Sequence, residues 1–166
     1  MIKKIIKILI PNFILKIYLN SIINARKNKF SKMTTKQIFK EIYEKKIWSP
    51  EIEKKKIQYY SGTGSHHKDF TDLYTKEVSK FLLSFKQKPN VVDLGCGDFE
   101  IGSQIRPLCN NYVGVDIVDN LINFNKTKFK HLNVDFRAMD FTSEELPDGD
   151  VCFLRYVLQH LSNDLI

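Results

Sequence analysis

Val91-Val92-Asp93-Leu94-Gly95-Cys96-Gly97-Asp98 is the stretch that decides the fold. A short apolar run enters a turn built on two glycines, which is how a strand hands the chain to a following helix. Working outward, Tyr112–Asp116, Asp135–Met139 and Asp150–Leu154 repeat the short apolar pattern, with helical intervals after the first, second and fourth strands. Apolar, β-branched runs separated by helical stretches predict a parallel sheet with crossover helices. The expectation is an α/β fold, a doubly wound Rossmann-like parallel sheet whose N-terminal four strands lie in residues 90–166.

Open sheets of this kind bind ligands outside the carboxyl ends of their strands, so the residues there are the candidates. Gly95 and Gly97 let the backbone come close to a ligand, although a G-x-G also closes many strand–helix turns for purely structural reasons. Asp116 ends the second strand about 20 residues further on, where a carboxylate can accept hydrogen bonds from two ribose hydroxyls. Asp140 ends the third strand, with Phe141 beside it as a possible adenine-facing ring. For each acid taken singly, a helix N-cap or loop residue is the ordinary alternative. A dinucleotide fits poorly: the position for its third glycine is Glu100, and Asp93, Asp98 and Glu100 would crowd a pyrophosphate with like charge. The same acids suit the ammonium and sulfonium of S-adenosyl-L-methionine.

DLGCGDF at 93–99, YVGVDIVDNLI at 112–122 and MDFTSEELPDGDVCFLRYVLQHLS at 139–162 together resemble the class I S-adenosylmethionine-dependent methyltransferases, in a bacterial branch associated with surface-glycan or other small-molecule modification. The resemblance runs over roughly residues 35–166 and takes in Ser61-Gly62-Thr63-Gly64-Ser65. It implies that Asp93, Gly95, Cys96 and Gly97 line the methionine end of the cofactor, that Asp116 and Ile117 hold ribose and adenine, and that Asp140 and Phe141 meet the adenine edge. Two positions depart from the pattern. Phe99 stands where the wider superfamily often has a third glycine, and Arg155-Tyr156 replaces an Arg-Asp pair at the end of the fourth strand. His160 matches a family histidine.

Methyl transfer is an in-line displacement, so alignment and exclusion of water matter most, and a hydroxyl acceptor must also lose its proton. His160, with an unperturbed pKa near neutrality, is the candidate base, against the alternative of a packing or capping histidine. Arg155 is a candidate for orienting an anionic group, and Tyr156 for shaping the acceptor pocket. The reading is thus a methyltransferase acting on a small-molecule or glycan hydroxyl. The alternative is a non-catalytic cofactor-binding or membrane-associated remnant, because a complete class I domain has seven strands and the chain supplies four, an apparent C-terminal truncation. Val151-Cys152-Phe153-Leu154 is apolar on both faces, as for a mid-sheet strand, so self-association through its uncovered edge is also expected.

Residues 33–89 read as a helical cap and loop region. Thr34-x-x-Gln37 has capping-box spacing before Ile38, Phe39, Ile42 and Tyr43, which predicts a helix to about Trp48, stopped by Ser49-Pro50. Ser61–Ser65 is a flexible loop by composition. Phe70, Leu73, Tyr74, Val78, Phe81, Leu82 and Phe85 then share one helical face.

Charge divides the chain. Residues 1–60 hold 15 Lys/Arg and 4 Asp/Glu, whereas residues 61–166 hold 11 and 15. The basic part points to an anionic surface. Residues 1–32 form a basic extension in which Ile6, Leu9, Ile10, Phe13, Ile14, Ile17 and Tyr18 recur at helical spacing. An amphipathic helix, or two around Pro11, is expected, lying in a membrane interface or packed on the domain. Lys3, Lys4, Lys7 and Lys16 argue against a spanning segment or a secretory signal. Few aromatics interleave with its basic side chains, which argues against nucleic acid. The expected partner of residues 1–30 is an anionic membrane surface, and the expected location is the cytoplasm, peripheral on the inner membrane face. Cys96, Cys109 and Cys152 form no C-x-x-C pair and read as free thiols. With His66, His67, His131 and His160 they give no zinc spacing, so no metal is expected.

Overall fold

The computed structural model describes residues 12–48 and 57–163. The expectations for Lys3 to Pro11, for Ser49-Pro50 and for Lys54–Lys56 fall outside them. The chain divides into two compact units, Met1–Ile38 and Phe39–Ile166.

In the first unit, α1 spans Asn12–Phe30, with Lys27 and Lys29 in the last turn, where cations complement the carbonyl end of the helix. Ile17, Tyr18, Leu19, Ile22 and Ile23 are all exposed. At about 100° per residue they spread over roughly two-thirds of the circumference, with Lys29 among them and Lys16 at their edge. The described part of this helix therefore lacks the one-sided apolar stripe expected of an amphipathic segment. Among the described residues no helix is long and apolar enough to cross a membrane. The next helix, α2 (Thr35–Glu44), starts on the expected capping box: Gln37 N–H donates to Thr34 Oγ1 at 3.2 Å and Thr34 N–H to Gln37 Oε1 at 2.9 Å. It ends at Glu44, and Lys45 to Trp48 form a turn rather than more helix.

In the second unit, α3 (Lys68–Leu83) precedes β1 (Val91–Leu94), α4 (Glu100–Ile105), β2 (Tyr112–Asp116), α5 (Asp119–Lys128), β3 (Asp135–Ala138) and β4 (Val151–Phe153). The strands form one parallel sheet in the order β3-β2-β1-β4, with Val91 opposite both Tyr112 and Val151, and Val113 opposite Asp135. The order reverses between β1 and β4, which makes that junction the topological switch point. Leu82, Ile105 and Ile122 from the three helices meet Val91, Tyr112, Phe136 and Val151 in one cluster. The other sheet face buries Val92, Leu94 and Val115 with Met139, Phe141 and Leu154 around them.

Two expectations change, for α3 and for the segment after β4, while the uncovered edge expected of β4 is present. Only a narrow stripe of α3 is covered, with Thr71 and Leu82 buried and Val78 packed on the core, while Phe70, Leu73 and Phe81 stay exposed. β4 is an edge strand of the four-stranded sheet, with Cys152 exposed. The segment expected to be helical after β4 forms a single 3-10 turn, Leu158–His160, shortly after Tyr156 at φ 54.

Phe99 is also left-handed, at φ 60, where a glycine would rest without strain. Its side chain compensates. Fully buried, it meets Tyr112, Phe129 and Phe136 edge-on, with ring centroids 5.3, 5.2 and 4.9 Å away. Such burial is worth about 2–3 kcal/mol, more than a strained residue commonly costs. Phe99→Ala should therefore lower stability by about 3–5 kcal/mol in urea unfolding. A loss below about 1 kcal/mol would remove this ring from the centre of the core.

Candidate functional site

β1 ends in a turn whose backbone is held by its neighbours. Gly95 and Cys96 N–H both donate to Val115 O at 2.8 Å, Gly97 N–H donates to Asp116 Oδ2 at 3.1 Å, and Asn125 Nδ2 donates to Gly97 O at 2.7 Å. Gly95 and Gly97 take φ of 80 and 57, which side chains rarely adopt. A Cβ on Gly95 would fall 2.4 Å from Val157, and one on Gly97 would fall 2.3 Å from Ser61 Oγ. The groups that approach these glycines so closely are thus the chain's own.

Around the turn sit three buried carboxylates, Asp93, Asp98 and Asp116. Asp116 also accepts Val118 N–H on Oδ1 at 3.1 Å. Burial holds its carboxyl up at about 6, against the three backbone N–H groups of Gly97, Ile117 and Val118 that favour the ionised form. Asp93 accepts the Tyr112 hydroxyl at 2.9 Å, and burial holds its carboxyl at about 6 as well, with nearby Asp116 adding to the rise. Asp98 accepts Ser61 N–H at 2.9 Å and pairs with His66 Nε2 at 2.6 Å. Burial, reinforced by Asp116 and Asp93, pushes the Cys96 thiol well up, so it stays a neutral lining group. Ile117 packs beside Tyr43, Val118 and Leu121.

The remaining candidates are distributed differently. The Arg155 guanidinium lies between the Tyr74 and Tyr156 rings, 4.9 and 4.6 Å from their centroids, and donates to Gly64 O and Ser65 Oγ. Tyr156 is exposed, with its ring against Gly64. His160 packs against Trp48 and Phe39, at 5.4 and 6.1 Å, and burial lowers its pKa, so it is neutral at pH 7. Asp140 accepts Thr142 N–H and Oγ1–H, at 3.1 and 2.6 Å, as the head of a tight turn, while Phe141 packs on the Val92–Leu94–Val115 face. Asp93, Gly95, Cys96, Gly97, Asp116 and Ile117 thus come together, whereas Asp140, Phe141 and His160 are engaged elsewhere in their own local contacts.

Asp98, one of the acids the sequence pattern set against a pyrophosphate, completes the constellation with Tyr43, Ser61, His66 and Asn125, and these four were not among the sequence candidates. Ser and His close together in 61–66 were the available signal, masked by a glycine content that reads as a mobile loop. Nothing marked Asn125, since an asparagine in a short polar helix looks solvated, yet it is wholly buried and its Oδ1 has no hydrogen-bond partner. An open cleft of about 760 Å³ lies at the opposite, N-terminal ends of the strands. Polar groups there satisfy one another, Asn90 bonding Asp150, Asn110 and Asn111. We therefore take the glycine-turn end as the functional one.

Residues 92–165 match the family model described as a methyltransferase domain. That segment carries the parallel sheet, which is of the Rossmann-like α/β kind. Among solved structures, magnesium protoporphyrin IX methyltransferase (ChlM) from Synechocystis PCC 6803 with bound SAM is similar at TM-score 0.55 and 16% identity, over 80% of this chain and 66% of that one. A dimethyladenosine transferase from Plasmodium falciparum (TM-score 0.40, 22% identity, 46% and 29% coverage) and the plantazolicin methyltransferase BpumL in complex with SAH (TM-score 0.40, 21% identity, 72% and 45% coverage) are also similar. The chain spans less than two-thirds of the length of each of these structures. Comparison with curated proteins gave no match.

The Asp93 carboxyl makes a testable demand on stability. Its ordinary value is 3.8 and its folded value about 6, so the folded chain binds this proton more tightly than the unfolded one. Stability therefore falls as pH rises from about 4 through about 6, and the loss is complete above that. Asp93→Asn keeps an oxygen for Tyr112 but removes the buried charge. In urea unfolding the variant should be more stable than the parent by roughly 1–3 kcal/mol at pH 7.5, with the advantage shrinking at pH 4.5. A variant less stable at pH 7.5 would contradict this account of Asp93.

Proposed function

We propose that the chain binds S-adenosyl-L-methionine and transfers its methyl group to a hydroxyl of a small molecule or glycan. The observation that carries the reading is the convergence of Asp93, Asp98 and Asp116 on a positive-φ glycine turn at the switch point. Desolvated carboxylates suit a ligand that brings its own positive charge, and they oppose a pyrophosphate. When bound, the cofactor supplies an electrophilic methyl on a sulfonium. Asp116 would accept the ribose hydroxyls, releasing the N–H groups it now holds. Asp93, with Gly95, Cys96 and Gly97, would face the methionine end, and Ile117 would pack on the adenine. Asp140 and Phe141 join this set on the resemblance of their segment. His160, neutral at pH 7, would accept the acceptor's proton, while Arg155 and Tyr156 would shape that side of the crevice.

The acceptor class rests on the motif resemblance. The porphyrin, plantazolicin and dimethyladenosine named for the similar structures are those proteins' own. A chain that binds cofactor without turnover is the alternative reading. Titration calorimetry with S-adenosylhomocysteine tests binding, and transfer of labelled methyl to hydroxylated acceptors tests turnover. Asp116→Asn, which preserves shape but loses the charge and one acceptor oxygen, should weaken S-adenosylhomocysteine binding by about 10- to 100-fold while the helical content by circular dichroism stays that of the parent. An unchanged affinity would take Asp116 out of the ribose site.

The same proposal assigns residues 1–30 to an anionic membrane surface. Support comes from Ile17, Tyr18, Ile22 and Ile23, which are exposed beside Lys16, Arg26, Lys27 and Lys29. The full chain should sediment with anionic vesicles at low salt, and a chain lacking residues 1–30 should not. Equal sedimentation of the two would contradict the assignment. Self-association through the β4 edge is part of this reading and would appear as a concentration-dependent mass.

A further inference from the structure

Residues 61–66 cross the switch point and are fastened on both sides of it. On the β1 side the fastening is reciprocal: Ser61 N–H donates to Asp98 Oδ2 at 2.9 Å, and Asp98 N–H donates to Ser61 Oγ at 2.8 Å. His66 adds its 2.6 Å bond to the same Asp98 oxygen, and its ring is stacked on Tyr60 at 4.1 Å. Ser61 Oγ also meets the Tyr43 hydroxyl at 3.1 Å. On the β4 side Gly64 O and Ser65 Oγ accept from Arg155, and the Tyr156 ring lies against Gly64. Between the two fastenings the chain makes one 3-10 turn, Thr63–Ser65, entered through Gly62 at φ 88.

This segment sits over the groups a ligand would need. Ser61 Oγ occupies the place of a Gly97 Cβ, and Asp116, only 8% exposed, has each carboxylate oxygen engaged by a backbone N–H. Ser61 thus stands directly against the glycine whose N–H bonds Asp116. The segment itself is short, only half-buried and held by a few polar bonds rather than by apolar packing, which is the character of a piece that opens locally without unfolding the sheet.

We propose that residues 61–66 are a gating strap over the crevice, and that Asp98 is its positioning residue, acting through Ser61 and His66 rather than by touching the reacting atoms. Ligand enters when the Asp98 fastening releases, and re-fastening closes the crevice over it. The proposal rests on the reading that this crevice takes S-adenosylmethionine or its product.

The test is stopped-flow binding of S-adenosylhomocysteine followed through Trp48, the single tryptophan of the chain, whose ring lies 5.3 Å from that of Tyr43. Because only the open form admits ligand, His66→Ala should raise the association and dissociation rate constants together by about 10-fold, with the Kd changing less than about 3-fold. His66→Gln, which restores a donor to Asp98, should return both rates toward the parent's. Faster dissociation with unchanged association in His66→Ala would make the segment a fixed wall and overturn the gate. Hydrogen exchange on the ligand-free chain separates this from the cofactor reading. The Ser61 amide should exchange through local opening, faster than the Val115 amide and faster again in His66→Ala. A Ser61 amide as protected as that of Val115 in both forms would overturn the strap. If the parent chain bound no S-adenosylhomocysteine, the proposed function would fall, and exchange would decide the strap separately.

Discussion

Everything at the functional end of the molecule depends on the way β2 holds the turn that follows β1. Val115 O takes two successive N–H groups of the turn, and the Asp116 carboxylate takes a third. Without these acceptors Gly95, Cys96 and Gly97 would leave buried donors unsatisfied, each costing about 1–3 kcal/mol. The positive φ angles of the two glycines follow from that pattern, because only a backbone folded this way aims its donors at β2. Asn125 closes the other side through Gly97 O. The geometry of the site is therefore a property of the sheet and α5 as much as of the glycine motif.

That same anchoring concentrates negative charge where water is scarce. Asp93 and Asp116 are both held near 6 by desolvation, with Asp116 adding to the rise at Asp93 and Asp98 to that at Asp116. Buried carboxylates are costly to desolvate, so their gathering at one turn marks a candidate ligand site. The Arg155 guanidinium is turned toward the strap by its bonds to Gly64 and Ser65, although its charge still reaches Asp93.

Local strain and local packing offset one another next to this site. Phe99 and Tyr156 both stand at positive φ, and each holds that conformation for a different reason. The Phe99 ring fills the middle of the helix-covered core. The Tyr156 ring is exposed but lies on Gly64 and beside the Arg155 guanidinium, so its strain redirects the chain after β4 and helps fasten the strap. The residues that depart from the family's pattern are thus accommodated by contacts this chain makes for itself.

The sequence by itself determined the parallel α/β sheet, the position of the glycine turn and the pairing of that turn with Asp93 and Asp116. These follow from alternation of strand and helix, which puts Asp93 beside the turn and Asp116, 19 residues beyond Gly97, at the same end of the next strand. It also placed the capping box at Thr34, which is local by nature. Tertiary structure alone decided the partners separated by long stretches of chain. Ser61 and His66 reach Asp98, and Arg155 reaches Gly64, across 32 to 91 residues, a distance at which no periodicity carries information. It also decided burial: Asn125 was drawn inside by Gly97 O, and the apolar face of α3 was left largely uncovered. Composition describes how a segment would behave in water, whereas its role is set by whichever polar groups the folded sheet leaves in need of a partner.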